Sequence, residues 1–134
     1  MGIIPTPENT PGGISGAAFA RAVANGGSID PFYGYIPVVA NETIPIVISS
    51  ERPFAIPKVV TDCGSGTCQV EVRINSTPLG GGANSVSTTR QTKDHTSANS
   101  GQIGDDVSLV FSSNSNCQRM NWVVIFEYPT ADPE

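Results

Sequence analysis

Few residues of this chain could do chemistry. His95 is the single histidine, and Asp94-His95-Thr96 sets it beside a carboxylate and a hydroxyl. A Ser-His-Asp relay needs a nucleophile on a strained turn and a third group that orients the imidazole. The chain has no G-x-S-x-G run to supply that turn, so His95 reads as a polar loop or interface residue. Asp105 and Asp106 offer hard oxygen donors of the kind a calcium ion takes, but they lack the ligand spacing of a calcium loop. Gly104-Asp105 is ordinary β-turn composition. The three cysteines, Cys63, Cys68 and Cys117, are an odd number and too few for a disulfide framework. Cys63 and Cys68 bracket Gly64-Ser65-Gly66-Thr67, and a tight hairpin there would set them opposite each other, within cross-linking reach. Zinc is not supported, because one distant histidine and three cysteines lack paired ligand spacing. No catalytic centre, cofactor or metal follows from these residues.

The elements that must position such residues are short strands. Thr43 to Ser49 and Phe54 to Thr61 are apolar runs, each interrupted by one proline, which suits an edge or an irregular start. Thr67 to Asn75 alternates cleanly, with Cys68, Val70, Val72 and Ile74 on one face and Gln69, Glu71, Arg73 and Asn75 on the other. Val107, Leu109 and Phe111 repeat the pattern. Ser112 to Asn116 has loop composition, and Met120 to Tyr128 is a last strand. Trp122 and Phe126 point one way on it, while Val123 and Ile125 make the opposite face apolar too, as in a central strand or a subunit interface. Trp122 and Phe126 could stack on a sugar ring, although core packing is the commoner use of such a pair.

Residues 1–40 differ from the rest. Pro5, Pro7, Pro11, Gly12 and Gly13 predict an extended start, and Gly16 to Ala24 a short helix that Ser15 could cap. Phe19, Phe32, Tyr33, Tyr35 and Ile36 lack an obvious local core, so this stretch reads as an arm that docks on a partner, ahead of a β-domain over 41–134.

Composition narrows the function. The 134 residues suit one domain, with a net charge of −5 and only seven Lys and Arg in total. Phosphate binding needs clustered cations, so nucleic acid is an unsuitable partner. No apolar run reaches the length that crosses a membrane as a helix, and the N-terminus has neither the charged nor the apolar region of a signal peptide. Synthesis in a cytoplasm is the expectation, with the cysteines starting as thiols. Asn41-Glu42-Thr43 and Asn75-Ser76-Thr77 match the glycosylation pattern but are incidental without export.

The run T-C-Q-V-E-V-R-I-N-S-T-P-L-G-G-G, then N-S-V-S-T-T, H-T-S-A-N and G-D-D-V-S-L-V-F-S-S-N-S-N-C before a final apolar strand, resembles a small β-sandwich domain of tailed-bacteriophage virion proteins. The resemblance covers Thr67 to Tyr128 and transfers no catalytic residues. It implies an all-β, antiparallel, jelly-roll-like sandwich, and places Cys68 and Cys117 on two strands as a second candidate disulfide. It also implies a non-enzymatic virion protein made in the host cytoplasm. The leading expectation is a decoration or cement protein, as a homotrimer on the major capsid protein. The alternatives are a short fibre, collar or tail component, or a carbohydrate-binding module.

Overall fold

The computed structural model describes residues 28–129. Every element among them is a strand: β1 (Ser28–Val38), β2 (Thr43–Val47), β3 (Phe54–Asp62), β4 (Ser65–Ile74), β5 (Thr77–Pro78), β6 (Asn84–Val86), β7 (Gln91–Asp94), β8 (Ser100–Gly101) and β9 (Val107–Tyr128). The helix expected over 16–24, and Phe19 with it, lie outside the described residues.

β9 organises the fold. Its first part pairs with β2 and β4, and its last part with β1 and β3. All pairings are antiparallel. One continuous sheet therefore curls on itself, and its halves face each other across a single core. The front half is β1, the end of β9, β3 and β7, with β8 beside β3; the back half is β2, the start of β9, β4, β5 and β6. Buried Asn84 of β6 closes the curl by donating to Val59 O at 3.2 Å and Thr61 Oγ1 at 3.3 Å on β3. A buried amide is tolerable only with such partners.

The loop expected over Ser112 to Asn116 is instead part of the ladder, with Thr67 opposite Ser115 and Ser65 opposite Gln118. The polar composition serves a bend. Ser113, Asn116 and Arg119 take φ of 53°, 52° and 54°, and the register shifts on either side of Thr67. Such bulges turn the strand so that it can serve both halves. Asn114 fastens the outside of the bend, its side-chain amide donating to Val39 O at 2.8 Å.

The arm reading changes at its second half. Ser28–Val38, inside the stretch expected as an arm, runs the length of Gln118–Tyr128 as a strand. Pro31 and Pro37 are compatible with this because, among the described residues, β1 pairs with β9 alone. Gly34 lies opposite Trp122, and a Cβ there would come within 2.6 Å of the indole. The missing side chain lets the ring lie across the strand. Phe54 covers Gly101 in the same way, its ring occupying the space a side chain would need.

Candidate docking face

The two faces of the front half separate the residues singled out above. Inward, Trp122, Val124 and Phe126 are buried. Phe126 lies between the rings of Phe32, Phe54 and Tyr128, with centroids at 5.9, 5.4 and 6.1 Å. Phe32 and Ile36 point to this side as well, opposite to Tyr33 and Tyr35, with Phe32 still 39% exposed. With Trp122 8% and Phe126 1% exposed, that pair has no face to offer a sugar.

Outward, three rows cross four strands. Pro31, Ile125, Lys58 and Asp94 form the first. Tyr33, Val123, Val60 and Thr92 form the second. Tyr35, Asn121 and Asp62 form the third, extended by Arg90, whose Nε donates to Asp62 at 3.1 Å. Tyr33 is 75% and Tyr35 56% exposed, and Val60, Val123 and Ile125 are half-buried. The middle of the face is thus apolar and aromatic, and its margins carry both signs of charge. Lys58 and Asp94 are 3.9 Å apart on one side. On the other, Asn121 Nδ2 donates to Asp62 at 2.9 Å. That bond, with Arg90 adding to it, holds the Asp62 carboxyl below the ordinary range.

Tyr33, Tyr35, Val123 and Ile125 were visible in the sequence as large side chains without core duty. Lys58, Val60, Asp62, Arg90 and Asp94 were not. Their signal is the alternation Lys58, Val60, Asp62 against buried Val59 and Thr61, which Pro57 and a register shift between Ala55 and Lys58 obscure.

The remaining candidates turn out to hold the fold together. His95 lies in the loop between β7 and β8, as expected, and is buried there at 3% exposed. Its Nδ1–H donates to Gly80 O at 2.7 Å, and its backbone N–H donates to Pro57 O at 2.8 Å. Asp105 accepts from Asn75 Nδ2 at 3.1 Å and Gln102 N at 2.8 Å. Asp106 accepts from Ser49 N at 2.8 Å, so both carboxylates fasten loops. Cys63, Cys68 and Cys117 are buried free thiols, and Cys63 Sγ donates to Gly66 O at 3.3 Å.

Burial, reinforced by the contact with Cys68, pushes the Cys117 thiol up to about 11. A group whose pKa is raised by folding contributes stability below its unfolded pKa and loses it as pH climbs through the folded one. Unfolding free energy is therefore expected to fall between roughly pH 9 and pH 11, by on the order of 2 kcal/mol from this residue. Denaturant titrations across that range should show the decline flatten in Cys117→Ala.

The chain matches no protein-family model and no curated protein. Solved structures similar to it include the catalytic unit of an α-1,3-glucanase from Streptomyces thermodiastaticus, at 9% identity over 78% of this chain and TM-score 0.43; the chain spans 26% of that protein. A capsid chain of Helicobacter pylori bacteriophage KHP30 is 14% identical over 81% of this chain and 94% of its own, with TM-score 0.42. A family 6 carbohydrate-binding module is 16% identical over 77% and 94%, with TM-score 0.43. At this level of likeness, function has to be read from the chain's own residues.

Proposed function

We propose that this chain is a non-enzymatic structural protein of a bacteriophage virion, a decoration or cement subunit of the head surface whose front sandwich face docks on a neighbouring subunit. The observation that carries this is the contrast between its two outer faces. The front face centres on Tyr33, Val60, Val123 and Ile125. The back face presents Gln69, Glu71 and Arg73 beside Thr43, Ser108 and Ser112, with Val110 and Pro45 among them and no exposed aromatic ring in these rows, and Arg73 Nε donates to Glu71 at 2.7 Å. A solvated sheet face is normally polar like the back one, whereas a contiguous exposed apolar patch marks an interaction site. One face against a neighbour and one toward water is what a subunit lying on a shell requires. The class of shell comes from the resemblance carried by Thr67 to Tyr128.

Particles stripped of this chain, incubated with the purified protein and sedimented, test the reading. Tyr33→Asp should weaken association at least about tenfold, as loss of an aromatic anchor does, with its melting temperature little changed because the side chain is exposed. Unaltered binding by the variant would remove the face from the interface.

A carbohydrate-binding module is the second reading, and one observation favours it: exposed Tyr35 shares a row with Asn121 and Asp62, a stacking surface beside hydrogen-bonding groups. Saturable binding of a glycan that Tyr35→Ala abolishes would select it.

A further inference from the structure

The front face is complementary to itself. Its rows are about 7 Å apart along the strands. A second copy, turned by half a rotation about an axis lying along the middle row, sets each residue of that row against its own counterpart. Tyr33, Val123, Val60 and Thr92 meet the same residues, and the first row meets the third. Lys58 then faces the partner's Asp62, and Asp94 faces the partner's Arg90. Pro31 faces the partner's Tyr35, and Ile125 faces the partner's Asn121. Lys58, Asp62, Arg90 and Asp94 each meet an opposite charge, and the apolar row closes on itself.

Turning the axis along the strands instead sets Lys58 over Ile125 and Asp94 over Pro31, leaving charges against apolar side chains. The pattern thus selects one rotation axis. That axis also keeps the strands of the two sheets close to parallel with one another, the packing that sandwiches prefer. A threefold contact would be head-to-tail and would need a second, different surface for this face to meet.

We infer that the front face binds a second copy of this chain about a twofold axis along the Tyr33–Val123–Val60–Thr92 row. This names the partner of the docking face and rests on that reading; it replaces the trimer expected from the sequence with an isologous dimer.

Sedimentation equilibrium of the full chain, with charge-reversal variants, tests it. The wild type should dimerise, and rising salt should weaken the dimer. Lys58→Asp and Asp62→Lys should each weaken self-association about tenfold or more, because each sets like charges across the axis. Mixed together, the two variants should recover a dimer of one chain of each, and a chain carrying both changes should dimerise alone. Thr92→Lys, an exposed substitution on the axis that leaves the core intact, should weaken the dimer by setting two ammonium groups face to face. A monomeric or trimeric wild type overturns the inference, as does a mixture of the reversal variants that stays monomeric. A monomer that still sediments with particles overturns the twofold while leaving the virion reading in place. A dimer that ignores particles does the reverse.

Discussion

Deletion of residues 1–38 is expected to abolish cooperative folding. The lost strand is the partner of β9 from Gln118 to Tyr128. Without it the backbone groups of β9 on that side lose their ladder, and Phe32 and Ile36 no longer pack against the core. Trp122 and Phe126, buried in the intact protein, gain solvent on their β1 side. Each buried large side chain is worth about 1.5–3 kcal/mol, and a domain of this size has on the order of 5–15 kcal/mol in all. The loss is therefore comparable to the whole stability. Thermal melts followed by circular dichroism check this: a broad, non-cooperative transition is expected. A sharp melt close to that of the intact chain would mean that Ser28–Val38 is dispensable and that the arm description holds.

Phe126→Ala is the second large effect, at about 4 kcal/mol of lost stability. The ring is 1% exposed and touches three others, one on β1, one on β3 and one on β9 itself. No single neighbour can swing in to fill the space, since each is anchored in its own strand, so the cavity persists. Phe126→Leu should lose well under half as much, because most of the volume is kept. Urea unfolding of the two variants measures the difference, and equal losses would show that shape rather than volume governs the site.

The strand pattern was legible wherever alternation was uninterrupted. Val70, Val72 and Ile74 of β4, and Trp122, Val124 and Phe126 of β9, are buried on the face the spacing gave them. β1 was hidden because Pro31, Gly34 and Pro37 read as breakers. Prolines are tolerated in a strand with one neighbour among the described residues, and Gly34 is required by Trp122. The bend of β9 was hidden for a related reason: Ser113 and Asn116 carry turn composition, and the left-handed conformations they adopt are used inside a ladder. The aromatic half of the docking face was visible from Tyr33 and Tyr35. Its charged half was not, because Lys58, Asp62, Arg90 and Asp94 come together only through the pairing of β3 with β7, about 30 residues apart in sequence. His95 keeps its loop position but is buried, its ring bonded to the Gly80 carbonyl. No local feature of Asp94-His95-Thr96 announces a partner 15 residues upstream.

Quantitative mass spectrometry of purified virions, with the chain measured against the major capsid protein, tests the proposed head-surface role most directly. A copy number comparable to that of the capsid protein is expected, lost from particles rebuilt with the Tyr33→Asp variant. A dozen or fewer copies per particle, or a chain found only in the soluble lysate, would contradict it.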